Sequence, residues 1–116
     1  MELAFREKYE IKPVWNGNDT DEKPAIFNCR FLSNDEMSDC IVKEFLQGDA
    51  NTDHFKVTYR ESKLITLSVE SIDNLIVNGE RITEAREFLK AKRLNGMMQE
   101  VVNMIIKNNT SRDIKN

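Results

Sequence analysis

The chain has 116 residues, a formal net charge of −3, 40% hydrophobic and 32% charged residues. That composition suits one soluble globular domain with a single core and excludes a disordered chain. The acidic balance argues against a nucleic-acid partner, because a phosphate-binding surface needs clustered cations. No apolar run approaches the ~20 residues that span a bilayer, and the charged start MELAFREKYE lacks the apolar core of a signal peptide, so the expected setting is cytoplasmic with no membrane contact. Cys29 and Cys40 are then expected as free thiols.

Residues 1–14 alternate loosely, with Leu3, Phe5, Tyr9 and Ile11 between charges, and read as a strand or extended arm ending at Pro13. The run NGNDTDEKP at 16–24 is a loop. Trp15 stands at its edge, and is read either as a cap on the core or as an anchor for a protein partner. In Ala25–Phe31, Phe27, Cys29 and Phe31 alternate with Ile26, Asn28 and Arg30, the pattern of a half-buried strand. Ser33 and Glu36 have capping-box spacing. The helix they open is expected to carry Met37, Cys40, Ile41, Glu44 and Phe45 on one side and to stop at Gly48.

After a loop at 49–53, residues 54–69 admit two readings. Phe55, Val57 and Tyr59 alternate, as do Ile65, Leu67 and Val69, which suits a hairpin turning at Arg60–Lys63. Phe55, Tyr59, Ser62 and Ile65 also fit a helical face, but the Thr, Val, Ile and Tyr content favours strand. His54, the one histidine, has no second ligand or base at a recognisable spacing.

Leu75–Val77 runs into Asn78-Gly79, a pair that tolerates positive φ at both centres of a two-residue hairpin turn. Arg81 and Ile82 return as a short strand. Thr83 is the expected N-cap of a helix with Ala85, Phe88 and Leu89 inward and the basic run Lys90–Arg93 at its C-terminal end. The last helix starts near Leu94. Leu94, Met97, Met98, Val101 and Ile105 form its apolar stripe, and Val102, Met104 and Ile106 widen the stripe beyond one face. That second side, with Trp15, is the candidate partner-binding surface, and the methionines suit an adaptable contact. From Lys107 the chain is polar and without periodicity.

The sequence holds no nucleophile elbow and no Gly-rich phosphate cradle. The reading is therefore of a non-enzymatic protein without cofactor or metal.

The segment VESIDNLIVNGERIT, followed by L-x-x-M-M-x-E-V-V-x-x-I-I, resembles the C-terminal half of small proteins of bacteriophage and prophage tail modules, the tail assembly chaperone group. The matching residues are Val69, Ile72, Asn74, Leu75, Val77, Asn78, Gly79, Ile82 and Thr83, then Glu100, Val101 and Ile105. The N-terminal half has no counterpart in that pattern, and the matching motifs are structural ones: a turn, a cap and an apolar stripe. The resemblance implies binding of an aggregation-prone tail or tape-measure protein in the bacterial host cell. A self-assembling, homo-oligomeric head–tail or tail component is the alternative, and a small DNA-binding regulator a third. The expected fold is α+β: a small antiparallel sheet, from N-terminal strands plus hairpins, packed against about three helices, the last (94–107) the longest. It occupies residues 1–108 as one domain, with 109–116 as a flexible polar tail.

Overall fold

A computed structural model describes residues 1–47 and 53–110, with 45–47 and 53–55 described in backbone only. The architecture is α+β, as the patterning implies. Strand β1 (Lys8–Ile11) pairs antiparallel with β2 (Ile26–Arg30), and β2 pairs antiparallel with β5 (Val69–Asp73), in the order β1-β2-β5. Two further pairs are antiparallel ribbons: β3 (Ile41–Gln47) with β4 (Asp53–Tyr59), and β6 (Leu75–Val77) with β7 (Glu80–Ile82). The helices are α1 (Asn34–Asp39), α2 (Glu61–Ser68), α3 (Ala85–Lys90) and α4 (Asn95–Thr110), the last being the longest.

The three-stranded sheet has one apolar and one polar face. Tyr9, Ile11, Phe27, Cys29, Val69 and Ile72 are buried on its inner side. Lys8, Asn28, Arg30, Ser71 and Asp73 lie on the other. A bulge keeps this sorting intact. Asn28 opposes Ser71 while Cys29 opposes Val69, so Glu70 is an extra residue that resets the phase. Without it Val69 and Ile72, an odd spacing, would face opposite sides. The helices cover the inner face: Leu64 and Ile65 from α2, Phe88 from α3, and Met97, Val101, Val102 and Ile105 from α4. Phe27 meets Phe88 edge-on at 4.9 Å between ring centroids, a favoured aromatic geometry.

The Asn78-Gly79 turn forms as the sequence indicates, with φ of 52° and 80°. The Ser33–Glu36 capping box is present: Glu36 N donates to Ser33 Oγ at 3.1 Å and Ser33 N to Glu36 Oε1 at 2.9 Å. The helix it opens is shorter than expected. It ends at Asp39, and Ile41–Gln47 is strand, not helix. The β-branched pair Ile41-Val42 follows, and residues 53–59 supply ladder partners that a local helix would have to forgo. Gly48, expected as the stop, lies outside the described residues.

The strand reading of 54–69 holds for its first half only. Residues 61–68 are helix α2, not the second arm of a hairpin. Leu64, Ile65 and Ser68 are buried on one face of it, and the core needs that i, i+1, i+4 stripe more than the alternation of Ile65, Leu67 and Val69. Arg60 is the joint: its N–H donates to Cys40 O at 2.7 Å and its guanidinium to Asp39 O, tying the base of the β3–β4 ribbon to the end of α1.

Helix α3 is capped by Glu84 rather than Thr83. Glu87 Oε1 accepts from Thr83 N and Glu84 N, at 3.0 and 3.2 Å, and holds the turn from the third helical position. The helix ends at Lys90, and Arg93 sits at φ 67° in the link to α4, so the basic run is divided between helix and connection. Helix α4 continues through the polar run to Thr110, beyond the expected start of the tail at 109. Residue Asn109 is the reason: its Nδ2 donates to Ile105 O and its Oδ1 accepts from Leu32 N, both at 2.8 Å. Residues 111–116 lie outside the described set.

The radius of gyration is 16.7 Å, with extents of 55 × 41 × 23 Å, against about 13 Å for a compact chain of this length. The β3–β4 ribbon packs on itself and, at its base, on α1.

Candidate functional site

The residues expected to meet a partner fall in three separate environments. Trp15 opens a 3-10 segment, Trp15–Thr20, that includes Asn16 and Gly17 at positive φ. Asn18 stitches this loop closed, with Nδ2 donating to Pro13 O and Oδ1 accepting from Ala25 N, both at 2.7 Å. Glu100 on α4 accepts from the backbone N–H groups of Val14 and Trp15. The carboxylate thus pins the loop to the last helix.

The indole lies over Gly96. A Cβ built at Gly96 would stand 2.2 Å from Trp15 Nε1 and 2.7 Å from Cδ1, so only glycine allows this approach. Trp15 is half-buried on the core and forms a wall of an open cleft of about 670 Å³ shared with Leu94, Met97, Ile76 and Arg81. Its role as a cap is therefore realised, with one side of the ring at a cleft.

Met104 lies about two turns further along α4, in a second cleft of about 720 Å³ with Phe5, Arg6, Phe31 and Lys107. Cations border this cleft, and among the described residues no acidic side chain lines it. Val102, expected on the partner-facing side, is 1% exposed and belongs to the core. Helix α4 packs on α2 and on the Trp15–Thr20 segment, and Val101, Val102 and Ile105 are fully buried, so much of its apolar surface is used up within the chain. Ile106 is half-buried against the core and lines neither cleft.

The uncovered apolar surface lies elsewhere. Leu3 is 65% and Phe5 71% exposed, with Met1 beyond them. A bend at Glu7 takes residues 1–6 off the sheet, which explains why Tyr9 and Ile11 are buried while Leu3 and Phe5 are not. The alternation in the sequence was the available signal. It indicates an extended segment, but not where the sheet stops. Val57 on the ribbon and Ile76 on β6 are also exposed.

The remaining chemistry is quiet. Burial pushes the Cys29 thiol up to about 12, and burial likewise raises the Tyr9 phenol. Both stay protonated at neutral pH, and Cys29 acts as a small apolar side chain. Cys40 is equally buried and free. Hydrogen bonds from the Arg30 guanidinium, at 3.0 and 2.7 Å, hold the Glu36 carboxyl down at about 2. That pair joins β2 to α1 and is structural. Among the described residues no three His, Cys, Asp or Glu side chains converge on a metal-ion position, and no helix is long and apolar enough to cross a membrane. His54 lies opposite Leu46 in the ribbon, its side chain outside the described set.

Compared with protein-family models, curated proteins and solved structures, the chain matches none.

Proposed function

We propose that this chain is a non-enzymatic protein-binding domain of a bacteriophage or prophage tail module. In this reading it shields aggregation-prone surface of a tail or tape-measure protein in the cytoplasm of the bacterial host. The observation that carries the binding role is the cleft beside Met104, with Phe31 and the largely exposed Phe5 on its walls and the cations Arg6 and Lys107 at its rim. Exposed aromatic and thioether groups framed by charge suit an acidic-apolar segment of another protein. The phage setting rests on the resemblance of Val69–Thr83 and Leu94–Ile106.

Co-expression tests the proposal. The tape-measure or tail protein, produced with and without this chain, should be more soluble in its presence and should co-purify with it. Met104→Asp should keep the fold by circular dichroism, because Met104 is only half-buried, and should lose the effect. A tail protein whose solubility is the same with and without the chain would remove the proposal.

A further inference from the structure

Segment 1–7, MELAFRE, is the least covered part of the described structure: every residue is exposed. Among the described residues its backbone makes one hydrogen bond, from Phe31 N to Glu7 O at 3.3 Å. Its apolar residues Leu3 and Phe5 alternate with Glu2, Ala4 and Arg6, the pattern of a strand, and among the described residues no strand pairs with it.

The sequence of this segment is self-complementary. Run antiparallel to a second copy about Ala4, it places Glu2 opposite Arg6, Leu3 opposite Phe5 and Ala4 opposite Ala4. Both charge pairs are then of opposite sign, and Leu3 and Phe5 of the two copies form one four-residue apolar cluster on the odd face. Neighbouring registers lose this. Centring on Phe5 puts Leu3 against Glu7, and centring on Leu3 puts Glu2 against Ala4. The alternative of pairing Glu2 with Lys8 competes with the Lys8–Glu70 ion pair at 3.2 Å.

We propose that residues 1–7 are a homodimerisation strand that pairs antiparallel, about a two-fold axis at Ala4, with the same segment of a second copy. The occupant is this chain itself, named by charge and apolar complementarity, and the contact is isologous. The proposal does not depend on the tail-protein role; it uses Phe5 and Arg6, which that role gives to the partner, so dimer and partner complex exclude each other. Seven residues a side bury less than the about 1,600 Å² of a standard interface, so the dimer is weak and concentration-dependent.

Sedimentation velocity on the full chain tests association. The mass should rise from 13.5 kDa at low micromolar concentration towards twice that in the sub-millimolar range. Glu2→Arg alone and Arg6→Glu alone should each weaken the dimer at least several-fold, and the two together should restore it. Register is tested by mild oxidation. Ala4→Cys should cross-link to a dimer, because opposed Cα atoms in an antiparallel pair lie about 5 Å apart, within disulfide reach. Glu2→Cys should not, because the two copies of residue 2 lie roughly 13 Å apart along the strands. The native cysteines are buried and do not compete. A chain that stays monomeric at every concentration overturns the proposal, and so does a dimer indifferent to both charge reversals. A double variant that fails to recover, or cross-linking as efficient at residue 2 as at residue 4, overturns the Ala4 register. Each variant is at an exposed position, so circular dichroism should be unchanged throughout.

Discussion

Gly96→Ala is a direct probe of how the last helix holds the Trp15 loop. Two effects oppose each other. In a helix interior alanine is favoured over glycine by about 1 kcal/mol, and less here, because Gly96 lies in the first turn of α4. Against that, the new methyl would stand 2.2 Å from Trp15 Nε1, and forcing extra volume into a packed contact costs about 1–3 kcal/mol. The indole cannot give way by bending, since it is a rigid ring whose backbone N–H is held by Glu100 at 3.0 Å. The steric effect should win, with a net loss of about 1–2 kcal/mol. At a urea dependence of about 1–3 kcal/mol per molar, the unfolding midpoint should fall by roughly 1 M. Trp15 is the only tryptophan, so native emission should shift to the red as the ring is pushed outward. In a Trp15→Ala background the same Gly96→Ala change should become neutral or stabilising, because the clash is gone and only propensity remains. A single variant as stable as the parent, with unchanged emission, would refute the wedge between indole and helix.

Three further outcomes follow from the same reasoning. Glu36 titrates near 2 in the folded chain against an ordinary 4.5; its contribution to stability is full above about 4.5 and disappears as the pH falls towards 2. The melting temperature should therefore drop less steeply over that window in Glu36→Gln than in the parent, and parallel curves would count against the Arg30 pairing. Asn109→Ala removes the acceptor for Leu32 N and should cost about 1–2 kcal/mol in urea unfolding; a chain ending at residue 108 should show the same loss and one ending at 110 should not. Cys29 and Cys40 are 1% and 0% exposed, so a thiol reagent should modify neither in the native state and both on unfolding, and a rapid stoichiometric burst would contradict their burial.

What could be read from the residues divides along a physical line. Local rules were enough where the chain satisfies itself over a few positions. The Ser33–Glu36 box, the Asn78-Gly79 turn, the alternation of Phe27 and Cys29 and the α4 stripe at Met97, Val101 and Ile105 were all legible, because each depends on neighbours in sequence. Ile41–Gln47 was not. Its apolar spacing suits a helix and a strand alike, and the deciding backbone partners lie at residues 53–59. For 61–68 the reverse holds: β-branched content favours strand, and the inner face of the sheet requires the helical stripe of Leu64 and Ile65.

The candidate site shows the same division. The sequence by itself determined an α+β fold with a long apolar final helix, and it marked Trp15 and Met104 as residues worth placing. Only the tertiary structure decided that Val102 is core, that Gly96 exists to admit an indole, and that Asn109 belongs to the folded helix. Only it separated Tyr9 and Ile11, which the sheet buries, from Leu3 and Phe5 in the same alternating run, which a bend at Glu7 leaves uncovered. Periodicity tells which residues share a face. Whether anything covers that face depends on where the rest of the chain goes.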